Sequence, residues 1–295
     1  MASIKEIQDR MKSIRDTLKI TNAMYMISSV KLRQSKKALV DTEPFFYTLE
    51  LEMARIIKND DELTGEFFRV KDCPPEEKKV AFIVITGDKG LAGAYNHNIL
   101  KSIETELHKY PNYMIFSLGE VGNHYLESHG YQIERHLSYF GSRPEYTKAR
   151  DLSEEIIEDY QNGVFDEICL IYTRMVNAMT ETVEVKPLLP IRKEEFDPPE
   201  LKDDPHRNLH FDPGSEEFMN QLIPIYVTGY LYGAFVEADA CEHNARMMAM
   251  QSASDNAKQM LGDLENQYNR ARQTAITQEI TEVIAGAKAQ KKKRN

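Results

Sequence analysis

The 295-residue sequence lacks several features that mark common functional classes. Its longest apolar run, residues 80–85, is far too short to cross a bilayer, so we expect any membrane association to go through a partner. Only three cysteines are present, Cys73, Cys169 and Cys241, and their wide spacing predicts buried free thiols in a reducing compartment and no metal site. The absence of a basic and apolar leader predicts an unprocessed chain.

Basic residues are outnumbered by acidic ones. With 37 basic and 47 acidic residues, the net charge of −10 argues against nucleic acid as the main partner. The charge is uneven, because residues 1–40 hold nine bases against three acids, whereas residues 191–217 hold four bases against nine acids. This asymmetry is consistent with different partners at the two ends, and equally with solvated helix faces.

Heptad repeats occur at both ends of the chain. In the long run 216–288, apolar or small residues recur in alternating steps of three and four, at Met247, Met250, Ser254, Ala257, Leu261, Leu264, Tyr268, Ala271 and Ala275. The N-terminal run follows the same alternation at Ile4, Ile7, Met11, Ile14, Leu18, Thr21, Tyr25, Ser28, Leu32, Ser35 and Leu39. The two runs predict a long antiparallel coiled coil, a shaft, with the middle of the chain as a domain at its base. An ordinary helical bundle is the alternative.

The chain divides on these patterns into four predicted segments. Residues 1–58 hold the N-terminal coiled-coil helix, which we expect to end near Asp41 before Pro44, and a following helix over 46–58. Residues 79–190 alternate strands and helices, which predicts a Rossmann-like α/β domain with a mostly parallel sheet and helices on both faces. Its last strand, 180–189, alternates as an edge strand does. An acidic loop over 191–214 precedes the C-terminal helix 215–288, with Ser215 as its cap.

No segment has a recognisable catalytic pattern. The glycine-rich turn 87–93 follows the first strand, but it matches neither phosphate-binding pattern, so we interpret it as a structural turn and keep nucleotide binding as the alternative. His206 and His210 are four residues apart in a loop rich in proline and aspartate, where we expect no metal site. The sequence therefore predicts no catalytic residue, cofactor or metal. An α/β enzyme dimerised by its helices and a static coiled-coil scaffold remain alternatives.

Four segments in order along the chain resemble the γ subunit of bacterial F-type ATP synthases. They are residues 14–26 (IRDTLKITNAMYM), 85–96 (ITGDKGLAGAYN), 245–250 (ARMMAM) with 256–257, and 268–273 (YNRARQ) continuing through 276–279 and 286–287. Ala92 and Ala94 stand where family members often have cysteine or glycine. No close cysteine pair is present, so the thiol regulation of chloroplast members is not expected.

The resemblance implies a non-catalytic central rotor of the proton-translocating complex. The coiled coil would stand inside a ring of α and β subunits, and the α/β domain would touch the ε subunit and the membrane c-ring. The location implied is peripheral, on the cytoplasmic face of the bacterial cell membrane. By motif, Arg272 and Gln273 would contact a catch loop on one β subunit, with Met24 and Arg246 near the place where shaft and ring touch.

Overall fold

The computed structural model describes residues 3–60, 63–137, 144–177, 180–198, 201 and 214–292, with side chains up to residue 287 in the last helix. The chain forms two compact units. The coiled-coil unit comprises Met1–Ile27 and Arg246–Asn295, and the sheet unit comprises Ser28–Ala245. Helix α1 (Ile4–Asn59) and helix α5 (Ser215–Lys292) each contribute residues to both units.

The sheet unit is built on five strands with the order β3-β2-β1-β4-β5. In chain order its elements are β1 (Lys79–Ile85), α2 (Tyr95–Leu107), β2 (Asn112–Leu118), α3 (Glu120–Ser128), β3 (Arg135–Leu137), α4 (Tyr146–Gln161), β4 (Glu167–Met175) and β5 (Glu181–Leu189). Two short 3-10 turns, Glu66–Phe68 and Lys193–Glu195, flank the strands. All neighbouring strands are parallel except β5, which runs antiparallel to β4 at the edge. The predicted mostly parallel sheet is confirmed.

Strand β1 lies at the centre of the sheet and is buried on both faces. Because side chains of a strand alternate between the faces, its residues enter two separate cores. One core contains Val80, Phe82 and Val84 of β1 with residues of α2, and the other contains Ala81, Ile83 and Ile85 with residues of α1, α4 and α5. A continuous apolar run is what a strand covered by helices on both faces requires.

Helix α1 passes through Pro44 without a break, so the predicted end near Asp41 is wrong. A proline inside a helix removes one hydrogen bond and costs roughly 3 kcal/mol. The residues that follow compensate, because Met53 and Ile56 are fully buried against the sheet, and burial of such side chains stabilises by about 1.5–3 kcal/mol each. Tertiary burial therefore outweighs the local preference.

Three smaller expectations also differ from the structure. The sequence pattern predicts a strand over Tyr131–Leu137, but strand β3 contains only Arg135–Leu137. Edge strand β5 lacks a clean alternation, because Glu184 and Lys186 are half-buried and form ion pairs with Arg174 and Glu195. Ser215 is the first residue of helix α5 and not its N-cap as predicted. The residue before it, Gly214, already accepts the first helical hydrogen bond, from the Phe218 N–H.

Part of the predicted acidic loop, including His206 and His210, lies outside the described residues. For the described part of the chain, no cluster of metal-ligating side chains is found. In the same residues, no helix combines the length and the apolar character that crossing a bilayer requires.

A buried carboxylate ties together the amino edge of β1 and β4. Glu167, the first residue of β4, is 2 % exposed and accepts hydrogen bonds from Lys78 and, at 2.7 Å, from Arg192. Lys78 precedes β1 and Arg192 follows β5, so one side chain connects three segments that are distant in sequence. A buried charge of this kind is tolerated because both of its partners are cations.

Replacing Glu167 by alanine leaves the Lys78 ammonium poorly exposed and without its carboxylate partner. We expect Glu167→Ala to lower the free energy of unfolding by about 3 kcal/mol, measured by urea denaturation of the isolated chain. Glu154→Ala is the control, because its ion pair with Arg150 is exposed and should contribute less than about 1 kcal/mol. Equal losses in the two variants would contradict the assignment.

Candidate functional site

Within the coiled-coil unit, the N-terminal part of α1 pairs with the C-terminal part of α5 in antiparallel fashion. Three side-chain contacts establish the direction: Gln8 to Tyr268 at 3.1 Å, Arg15 to Glu265 at 3.3 Å and Thr21 to Ser254 at 2.7 Å. Residue numbers rise on α1 as they fall on α5. The predicted antiparallel coiled coil is therefore confirmed within this unit.

The seam between these helices follows the predicted heptad positions. On α5, Met250, Ser254 and Ala257 are buried, and the later seam positions up to Ala275 are half-buried, while the residues between those later positions are exposed. Small seam residues allow the helix axes to approach closely. The Thr21 and Ser254 hydroxyls lie at the seam and bond to each other, so each satisfies the other away from water.

Helix α5 continues beyond the residues that α1 can cover, since α1 begins at Ile4. All described side chains from 276 to 287 are exposed. Four large apolar residues in this stretch are between 46 % and 71 % exposed: Ile276, Ile280, Val283 and Ile284. Their spacing of four, three and one places them on one face of the helix, and we name this face the apolar stripe. An exposed row of large apolar side chains is typical of a surface that another protein covers.

Polar side chains lie on the same stretch of α5. Arg272 and Gln273 are exposed, and a shallow surface depression is lined by Arg270, Gln273, Thr274, Thr277, Gln278, Thr281 and Glu282. The threonine hydroxyls donate to backbone carbonyls one turn earlier, as Thr277 does to Gln273 at 2.8 Å. The arginine and glutamine side chains can donate hydrogen bonds to carboxylates or carbonyls of a partner.

The other two predicted contact residues are less accessible. Met24 on α1 is half-buried, and Arg246 on α5 is only 7 % exposed. A partner subunit can therefore touch only the edge of the Arg246 side chain. The structure brings Arg272 and Gln273 together on one helix turn, whereas Met24 and Arg246 lie elsewhere in the unit. The apolar stripe was missed in the sequence, although its helical spacing was visible there.

The glycine-rich turn after β1 is occupied by a side chain of the protein. The Gly87 N–H donates to the Asn96 side chain at 2.8 Å. A Cβ atom built on Gly87 would lie 2.8 Å from the carboxyl carbon of Glu242 on α5. A carboxylate thus lies against the turn where a nucleotide-binding sheet would hold phosphate. Burial raises the pKa of the nearby Asp88 carboxyl, although the Glu120 N–H donates to it.

These features define a class of protein: a coiled-coil assembly subunit that also has a doubly wound sheet. Comparisons with known proteins identify the family. The model of the family described as "ATP synthase" matches residues 3–290. The chain is 39 % identical to the ATP synthase gamma chain of Acetivibrio thermocellus, over 99 % of this chain and all of that one. It is 33 % identical to the sodium ion specific gamma chain of Acetobacterium woodii, over 97 % and 98 % of the two chains.

A solved structure agrees on the fold. The rotor in the cryo-EM structure of the Euglena gracilis mitochondrial ATP synthase superposes with a TM-score of 0.63 at 16 % identity, covering 92 % of this chain and 98 % of that chain. The chain belongs to the ATP synthase gamma chain family. It is accordingly a non-catalytic stalk subunit of the ATP synthase complex, and the resemblance found in its sequence is confirmed.

The Thr21–Ser254 hydrogen bond allows a double-mutant test of the seam. Thr21→Val leaves the Ser254 hydroxyl buried without its partner and should cost about 1–3 kcal/mol of unfolding free energy. Adding Ser254→Ala removes the stranded hydroxyl, so the double variant should lose less than the two single variants sum to. Urea denaturation of the four chains measures this coupling, and strict additivity would contradict the bond.

Proposed function

We propose that the coiled-coil unit of this chain turns inside a ring of three α and three β subunits and couples ion flow to ATP synthesis. The observation that carries this proposal is the apolar stripe at the end of α5. Its four large side chains are exposed in the isolated chain, and the pairing of α1 with α5 stops before them. Burial by a surrounding sleeve of protein removes that apolar surface from water.

The mechanism follows from asymmetry. Three identical β subunits can differ in nucleotide affinity only if something contacts each of them differently. A single-copy rotor does so, because each angular position has different interaction energy with the open and closed states of β. Coupling between sites is reciprocal, so rotation driven by ion flow changes nucleotide affinity, and ATP hydrolysis drives the rotor in the opposite direction.

Arg272 and Gln273 are the proposed contacts to one β subunit. Both are exposed, they are adjacent in the helix, and they can donate charged and neutral hydrogen bonds to acceptor groups of a loop. Met24 and the accessible edge of Arg246 are proposed as further contacts with the ring. The sheet unit is proposed to bind the ε subunit and the membrane c-ring, on the cytoplasmic face of a bacterial cell membrane.

Truncating the proposed β contact tests it in the assembled complex. We expect Arg272→Ala with Gln273→Ala to lower ATP-driven ion transport per ATP hydrolysed, because donors that distinguish the β states are lost. Both residues are exposed, so thermal unfolding of the isolated variant should match that of the wild-type chain. Glu154→Ala, an exposed change in the sheet unit, is the control. Wild-type hydrolysis and transport in the double variant would refute the contact.

The apolar stripe can be tested by separating stability from assembly. Ile280→Ser with Ile284→Ser should leave unfolding of the isolated chain within about 1 kcal/mol of wild type, because both side chains are already exposed. Binding to the purified α and β ring should weaken by about tenfold or more, since apolar burial there is lost. Thr281→Ser is a matched control on the same turn. Unchanged affinity in the double variant would contradict burial of the apolar stripe by the α and β ring.

A further inference from the structure

Within the sheet unit, residues 237–244 of helix α5 are held by polar side chains on two sides of the helix. On one side, Glu237 accepts a hydrogen bond from the Met175 N–H at 3.1 Å, and Asn244 donates to Glu181 at 2.9 Å. Met175 ends β4 and Glu181 begins β5, so this side of the helix is attached to the β4–β5 hairpin.

The opposite side of the same helix segment contacts other elements. Asp239 accepts a hydrogen bond from the Ser35 hydroxyl of α1, and it lies 3.4 Å from His243. The Glu242 carboxylate lies against Gly87 in the turn after β1. Asp239 and Glu242 are both less than 10 % exposed, so these contacts lie in the interior of the sheet unit.

Helix geometry shows that the pair Glu237 and Asn244 lies on the opposite side of the helix from the pair Asp239 and Glu242. At about 100° per residue, Glu237 and Asn244 are only about 20° apart around the helix axis. On the same scale, Glu242 and Asp239 lie about 140° and 200° away from Glu237. We name these four residues with their partners the helix clamp. Contacts on opposite sides resist rotation of the helix about its own axis, and hydrogen bonds do so with a defined geometry.

The carboxyl groups that form these polar contacts are buried or half-buried. Burial raises the pKa values of the Glu237 and Glu181 carboxyl groups, although each receives a hydrogen bond that acts in the other direction. Adjacent Cys241 is fully buried in the core on one face of the sheet. A small cavity of about 10 Å³ beside Asp239 and Glu242 has room for roughly one water molecule, so these carboxylates have little space to move.

The Glu242 contact of the clamp requires a residue without a Cβ atom at position 87, which is Gly87. Any Cβ there would press on the Glu242 carboxylate, with oxygen atoms at 3.0 and 3.1 Å. Gly90, in the same turn, differs, because a Cβ added to it meets nothing within 4 Å. The turn therefore contains one glycine that is required for close approach of the carboxylate and one that is not.

We propose that the helix clamp transmits torque between the sheet and helix α5, so that Glu237, Asp239, Glu242 and Asn244 are positioning residues for coupling. This inference rests on the proposed rotor function. A rotor that receives force through its sheet must not let helix α5 turn against the sheet. Loosening the clamp lets the helix slip, and ATP is then hydrolysed without the corresponding ion transport.

The test uses the complete ATP synthase of the host, reconstituted in vesicles with variants of this chain. The measured quantity is ion uptake divided by ATP hydrolysed, with uptake of protons and of sodium ions both recorded. We expect Glu237→Ala with Asn244→Ala to lower this ratio at least about threefold, because one side of the clamp loses both hydrogen bonds. Asn220→Ala with Gln221→Ala, exposed positions on the same helix, should leave it unchanged.

A conservative change separates positioning from general stability. Glu237→Gln keeps a carbonyl acceptor for the Met175 N–H, so it should retain most of the coupling ratio. The opposite side of the clamp is tested by Gly87→Ala, which should lower the ratio, whereas Gly90→Ala should not. If the Glu237→Ala, Asn244→Ala variant fails to assemble, the comparison of Gly87→Ala with Gly90→Ala still tests the clamp. Neither glycine substitution removes a hydrogen-bonding group.

The outcomes distinguish the clamp from the rotor function itself. If complexes assembled without this chain transport ions as well as complete ones do, the proposed function fails. If complete complexes couple normally, and the double alanine variant and Gly87→Ala couple equally well, only the clamp proposal is overturned. A fall in the ratio together with normal or faster ATP hydrolysis supports the clamp.

Discussion

The constraint on which the structure depends is close pairing of two helices from opposite ends of the chain. Small and polar side chains at the seam, such as Thr21, Ser254 and Ala257, make this pairing possible, because large residues there would hold the axes apart. The buried hydroxyl pair also penalises slippage, since a shift of register would take the Ser254 hydroxyl away from its Thr21 partner. A helix pair with a fixed register keeps the outward-facing residues at defined angles, and a rotor needs that property.

The sheet unit adds a second constraint. Its strands follow the order of an α/β fold that commonly binds nucleotides, yet the turn after β1 is filled by the Glu242 carboxylate. The same elements that elsewhere form a ligand site here hold a helix of the same chain. A fold of one architecture can therefore serve catalysis in one protein and mechanical attachment in another.

The elements with a periodic sequence pattern are the ones that could be predicted. The heptad positions and the buried strand β1 each repeat a pattern over many residues, so the coiled coil and the sheet were predictable. Features that depend on contacts between residues distant in sequence could not be predicted. Helix α1 continues through Pro44 because its next turns are buried, and Glu242 meets Gly87 across more than 150 residues of sequence. The burial of Arg246 likewise depends on neighbours that no local pattern reveals.

The central claim is that this chain rotates during turnover, and the structure offers a position for a probe. Burial raises the thiol pKa values of Cys169 and Cys241, whereas Cys73 is partly exposed, so a thiol reagent at neutral pH should label Cys73 preferentially. With the α and β ring immobilised and a visible probe on Cys73, we expect the probe to rotate in one direction and only when ATP is present. Sustained ATP hydrolysis with a stationary probe would contradict it.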